Sequence, residues 1–349
     1  MAFEGKEMRT LLAITALTIS VTSGAEGSSE LTDGVFASEQ GRCQIALEKF
    51  EQAASEGNPN AQYLLGKMHE DATGVEYNPA KAISWYRVAA ENGSAEAAFK
   101  LAEAYRDGIF LPEDFATAIN WYRQAADRGL AKAQYELGVI YDLGIEVPRD
   151  DREAAEWFAL ASEQGDSDSQ FNLGTMYESG EGVDQNYAQA ADLYRRAAER
   201  GNYFAADQLG LLYLAGKGVE QNFEEAAIYF RQAADAGWPA AKLNLGMLYE
   251  KGDGVGQSYS TASRLYRQAA EIGLADAQAA LGNLYAQGRG VPQDYVEAYL
   301  WLNLASAGDS AGAAARRGEV ASLMTPEQIA QAQGMSRDCL NNKYKNCGR

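Results

Sequence analysis

Histidine occurs once in these 349 residues, at His69, and cysteine only three times. A single histidine excludes a multi-histidine metal site and leaves one candidate base for any serine or cysteine nucleophile. Basic residues are also scarce: 30 Lys and Arg stand against 49 Asp and Glu, a formal net charge of −19. Such a surface repels nucleic acid and anionic lipid, so neither is expected as a partner. A bilayer-spanning apolar run is missing as well. The best stretch, Leu11 to Val21, is too short and too rich in threonine to span a membrane. Preceded by Lys6 and Arg9 and followed by the small residues Ser23-Gly24-Ala25, it reads as a signal peptide over residues 1–25. Starting at Met8 would give a cleaner signal. Export to the periplasm or beyond is therefore expected, without a stable membrane anchor; the alternative is a leader on a cytosolic protein.

What the chain does have is a period. The glycine of a Leu-Gly pair recurs every 36 residues, at Gly66, Gly138, Gly174, Gly210, Gly246 and Gly282, with Ala102 in the remaining slot. A strict period of this size marks a repeat architecture. Each unit reads as two amphipathic helices joined by a glycine-punctuated turn. In every unit the second helix has a good N-cap residue: Asn78, Asp114, Asp150, Asn186, Asn222, Ser258 and Asp294. Glu153, Gln189, Glu225 and Glu297, three residues on, suggest capping boxes. Glycines near Gly93 and its equivalents suit the left-handed position after the helix, with the last unit ending one residue early at Gly308. Alanines of the Ala82 series let helices approach closely. The Tyr105 series on first helices and Trp85, Trp121, Trp157 and Trp301 on second helices are expected to fill the core. Arginines of the Arg87 series form a stripe for which a structural role at helix C-termini is expected.

The pattern A-x-x-x-L-G-x-x-Y, then G-x-G-V, then A-x-x-W-Y-x-x-A-A-x-x-G resembles the Sel-1-like repeat family, relatives of the tetratricopeptide repeats. Tyr63 to Gly93 and Tyr135 to Gly165 are good copies; the second unit departs from it, with Ala102 for glycine and Phe110-Leu111-Pro112 at the turn. The resemblance implies an all-α fold, a right-handed α-α solenoid of antiparallel helix pairs. We expect a starting repeat over residues 33–60, seven repeats over 61–310, and a C-terminal helical cap over 311–349. In that cap Thr325-Pro326-Glu327-Gln328 opens a helix. Cys339 and Cys347 bracket a short loop and are expected to form a disulfide if the chain is exported, worth roughly 2–3 kcal/mol; two surface thiols are the alternative.

No enzymatic constellation stands out. The Gly180–Val183 and Gly216–Val219 turns lack the strand and the lysine-serine ending of a phosphate loop. His69 sits where six other units carry tyrosine, which favours packing over catalysis. Neither a metal nor a cofactor is expected. The resemblance implies an adaptor that binds another protein. Some cysteine-rich relatives are linked to β-lactam binding or hydrolysis, but they carry one disulfide per repeat, and this chain has no repeating cysteines; a cell-wall glycan binder is a further alternative. By the same resemblance the first helices line the binding groove, at Asn60, Tyr63, Lys67, Glu70 and Asp71 and their equivalents. Most of the variable members are polar. The fifth and sixth units instead present Phe204, Leu211, Leu214, Leu243 and Met247, with Tyr203 and Trp238 nearby. Asp207 and Glu250, with Glu178 and Lys251, are expected to rim that patch. It reads as a docking site for a partner segment with basic residues, or alternatively as tighter packing between units.

Overall fold

The computed structural model describes residues 29–344 and 347. The N-terminal leader expected over residues 1–25 lies outside them. Every regular element among the described residues is a helix. A starting pair, α1 (Ser29–Glu39) and α2 (Cys43–Ser55), precedes seven repeats. These are α3 (Pro59–Asp71) with α4 (Pro79–Glu91), α5 (Ala95–Arg106) with α6 (Phe115–Asp127), and α7 (Ala131–Leu143) with α8 (Asp151–Glu163). They continue as α9 (Ser167–Ser179) with α10 (Tyr187–Glu199), α11 (Tyr203–Ala215) with α12 (Phe223–Asp235), α13 (Pro239–Lys251) with α14 (Tyr259–Ala270), and α15 (Ala275–Gln287) with α16 (Tyr295–Ala307). Two further helices, α17 (Ala313–Ala321) and α18 (Pro326–Asn341), pack on α16. The chain divides within α9 into two compact units, Met1–Ser169 and Gln170–Arg349.

Five of the seven repeats are closed by one contact; the second carries Ala102 at the position, and in the seventh Gly282 meets Leu302. The recurring glycine of the first helix lies flat against a ring of the second, and a Cβ there would sit 2.5–2.6 Å from Tyr86, Phe158, Tyr194, Phe230 or Tyr266. Side-chain-bearing residues do not tolerate such distances, so glycine sets the helix separation and the ring fills it. Gly34 does the same for Phe50 in the starting pair, at 2.7 Å. These rings are buried almost completely, and with the alanines they form the core. The neighbouring tryptophans are expected there from their spacing. Trp85, Trp121 and Trp157 instead remain partly exposed, and Trp301 alone is fully buried. Its position differs because α17 and α18 cover α16, whose apolar residues consequently run all round the helix.

The tyrosines of the Tyr105 series pack as expected, with Tyr141 and Tyr285 buried and Tyr177, Tyr213 and Tyr249 set against the core clusters. Their hydroxyls accept hydrogen bonds from the arginine stripe of the preceding repeat: Arg87 to Tyr105, Arg123 to Tyr141, Arg195 to Tyr213, Arg231 to Tyr249, Arg267 to Tyr285. The stripe is thus structural, but it ties repeats together rather than only answering a helix dipole. All seven second-helix N-cap residues accept bonds from the backbone amides of the first turn. Of the glutamates three residues on, Glu153 pairs with Arg123 and Glu297 accepts from the Trp301 indole, while Thr325 and Gln328 make both halves of a capping box. Nor is the last repeat short. Asp309 holds the left-handed position at φ 59°, in register with the earlier glycines, and Gly308 does not. Cys339 and Cys347 are placed as a bonded pair with Cα atoms 5.1 Å apart, and both pack against the cluster around Trp301.

Candidate functional site: the first-helix face

The first helices are more buried than the second, and their half-buried side chains include the positions expected to form the groove. In the N-terminal unit this face is charged and internally paired. The Lys100 ammonium lies 3.4 Å from both Glu70 and Glu103. Arg106 pairs with Asp107 at 2.7 Å and with Glu136 at 3.3 Å. Burial raises the Glu136 pKa in spite of Arg106. Burial works against the Lys100 charge, yet Glu70 and Glu103 hold its pKa above the ordinary lysine value. His69 is buried in its tyrosine slot, with Nδ1 3.4 Å from the Glu76 carbonyl oxygen, as a packing role requires.

In the C-terminal unit the same face is apolar and aromatic. Phe204 is 37% exposed and touches three rings: Tyr203 at 4.3 Å, Trp238 at 4.7 Å and Phe171 at 5.9 Å between centroids. Asp207 does not rim this patch. It is 5% exposed, and its two carboxylate oxygens accept from Trp238 Nε1 and Asn244 Nδ2, each at 3.1 Å. The reason lies in the repeat. Tyr63, Phe99, Tyr135 and Phe171 hold this position earlier, and each packs its ring on the core ring of its own repeat at 5.5–6.0 Å. Asp207 removes that ring in the fifth repeat and anchors Trp238 from the next connector beside Phe204.

Leu211 and Leu214 pack, together with Tyr203 and Trp238, on the cluster around Phe230. Leu243 and Met247 pack on a second cluster, which contains Leu281 and Trp301. The expected patch is therefore one exposed ring group backed by two half-buried aliphatic pairs. Glu250 is also committed, accepting from the Tyr266 hydroxyl at 2.7 Å, as Glu178 accepts from Tyr194 at 2.8 Å and Glu70 from Tyr86. Where the core ring is Phe230 and has no hydroxyl, the equivalent residue is Leu214. In these four repeats the residue at this position matches the ring beneath it. Two repeats depart from it: Asp142 stands at this position in the third, whose ring is Phe158, and in the second the Tyr122 hydroxyl has no partner, with Arg106 over its ring at 5.9 Å. Phe171 was the member of the ring group not singled out from sequence, although its place in the Tyr63 series signals it.

Among the described residues no group of three or more His, Cys, Asp and Glu could hold a metal ion, and no helix is long and apolar enough to cross a membrane.

Burial raises the Asp207 pKa above 3.8, against the opposing effect of the Asn244 and Trp238 hydrogen bonds. The folded state therefore binds this proton more tightly than the unfolded chain. That contribution to stability is present in acid and is lost as pH rises through the folded pKa. Relative to Asp207→Asn, the native chain should gain stability as pH is lowered from about 7 to 4 in urea unfolding. A stability difference that does not change with pH would contradict this.

A family profile described as Sel1 repeat matches residues 59–94, 95–130, 131–166, 167–202, 204–238, 239–274 and 275–310. A Sel1 repeat protein from Oxalobacter formigenes is similar in structure, with 29% identity, a TM-score of 0.59, and coverage of 87% of this chain and 93% of that one. A protective antigen of uropathogenic Escherichia coli with an SLR fold has 29% identity and a TM-score of 0.47, covering 86% of this chain and 80% of its own. No curated protein matches the chain.

Proposed function

The chain belongs to the Sel1 repeat family, and we propose that it is an exported, non-catalytic scaffold that takes a segment of a partner protein on the first-helix face of its C-terminal unit. Proteins of this family generally act as protein–protein interaction scaffolds. The observation that carries the finer reading is the ring group of Phe171, Tyr203, Phe204 and Trp238. Phe204 stays exposed although it lies among three other rings, and the buried Asp207 fixes Trp238 beside it. Large rings held rigidly at a surface lose little entropy on binding and are favoured as anchors for a partner's apolar side chains. Leu211, Leu214, Leu243 and Met247 extend the apolar floor. Glu178 and Glu250 leave negative charge at its edge, which suits a segment carrying lysine or arginine.

Phe204→Asp tests this reading better than changes at Leu211 or Leu214, which also support the Phe230 cluster. In-cell crosslinking with the native chain should capture a partner protein, and Phe204→Asp should abolish that capture with unchanged circular dichroism and thermal midpoint. Equal capture by the variant would sink the proposal.

Export and the terminal bridge belong together in this proposal. The Cys339–Cys347 pair closes a short loop against the cap, and such a bond persists in an oxidising compartment. Alkylation of intact cells followed by mass analysis should find these two cysteines blocked and the chain cleaved after Ala25, in the envelope or the medium. Both thiols modified on an uncleaved cytosolic chain would overturn it.

A further inference from the structure

The connectors between the two helices of each repeat obey a rule that the N-terminal unit breaks. The second left-handed residue of the connector has positive φ in all seven repeats, at residues 74, 110, 146, 182, 218, 254 and 290. Five of these are glycine, as the conformation favours. At Gly218, Gly254 and Gly290 close approach also demands glycine, since a Cβ would run into the backbone of Tyr187, Phe223 and Tyr259. Three residues later, Gln185, Gln221, Gln257 and Gln293 brace each connector by donating to the carbonyl seven residues back, at 2.8–3.0 Å. The repeat thus has a settled solution for this turn, built from glycine and glutamine, with charged Glu181, Lys217, Asp253 or Arg289 between the glycines.

The first three connectors each depart from it: Tyr77 takes the glutamine place in the first, Ile109 and Phe110 follow the glycine in the second, and Ile145 and Glu146 do so in the third. Phe110 stands at the left-handed position with φ 66°, a strained conformation for a bulky residue, and is 48% exposed. Ile109, where later repeats carry charge, is 49% exposed. Tyr77 replaces the bracing glutamine, is 57% exposed, and meets Phe110 edge to face at 6.3 Å. Leu143, the last residue of α7, is 65% exposed. Neither folding nor stacking asks for these side chains, because the other connectors close without them. Backbone strain kept in order to present an aromatic ring to solvent points to function.

The charge around this edge identifies its occupant. Arg106 and Arg149 are already paired, with Asp107 and Glu136 and with Asp151. The carboxylates of Glu76, Glu113 and Glu146, in the same three connectors, make no ion pair among the described residues. Uncompensated negative charge beside exposed rings repels anionic lipid and is complementary to a cationic, apolar peptide. We propose that this connector edge of the N-terminal unit is a second docking surface, separate from the Phe204 face, for a protein segment whose large apolar side chains are flanked by lysine or arginine.

A random peptide library displayed on phage, panned on the full chain, provides the probe. Tyr77→Gln with Phe110→Gly gives the first two connectors the residues that later repeats carry. The double variant should keep its circular dichroism, with a thermal midpoint no lower than that of the native chain. Selected peptides should carry Phe, Trp or Leu between basic residues and bind more weakly as salt rises. Their affinity should drop at least about tenfold in the double variant and stay unchanged in Phe204→Asp. Selected peptides without basic residues, peptides that bind the double variant equally, or no selected peptides at all would each overturn the proposal. Self-association of the native chain in ultracentrifugation that is lost in the double variant would also overturn it, by assigning the edge to a second copy.

Discussion

In five of the seven repeats, and in the starting pair, a glycine laid against an aromatic ring holds the two helices together. The methyl group of an alanine would fall about 2.6 Å from the ring at Gly66 or Gly174, well inside van der Waals contact. The contact fixes how closely the helices pair and leaves the ring no way out to solvent. The alanine series, the N-caps and the arginine-to-tyrosine bonds then stack one pair upon another. Because this machinery is the same in nearly every repeat, stability is spread along the chain as a sum of local and neighbour terms.

That division of labour decides which residues can carry function. Some positions tied to the ring follow it: glutamate over Tyr86, Tyr194 and Tyr266, leucine over Phe230. Some of the variation on the first-helix face is therefore internal matching and carries no information about a partner. What remains after this is subtracted is small and localised. In the C-terminal unit it is the ring group around Phe204, made possible by an aspartate in an aromatic slot. In the N-terminal unit it is the connector edge around Phe110. Both present aromatic surface in acidic surroundings, and the proposed preference for cationic, apolar partner segments rests on that combination.

The period, the helix pairs and the second-helix caps were legible in the sequence because each rests on local chemistry repeated in phase. Other features were not, because they depend on a neighbour. Trp85 and Trp301 occupy equivalent positions, but only Trp301 has cap helices above it, so residue type alone could not tell buried from half-buried. The true core ring, one residue later, is Tyr or Phe in six repeats and is replaced by Leu302 in the seventh, and so is less conspicuous than tryptophan. Asp207 looked like a surface acid because acids usually are. Its burial follows from Trp238, supplied by the following repeat, and no local pattern announces that pairing. The left-handed Asp309 was misread for a related reason: glycine at 308 drew the assignment, while the register, which was right, pointed one residue further.

The glycine–ring contact is tested most directly by a double-mutant cycle on Gly246 and Tyr266, followed by urea unfolding. Gly246→Ala should cost about 1–3 kcal/mol in the native background, despite the better helix propensity of alanine. In a Tyr266→Ala background, where the ring is gone, the same change should cost nothing or stabilise the chain. An equal cost in both backgrounds would contradict the account, since the glycine would then be needed for some reason other than the ring.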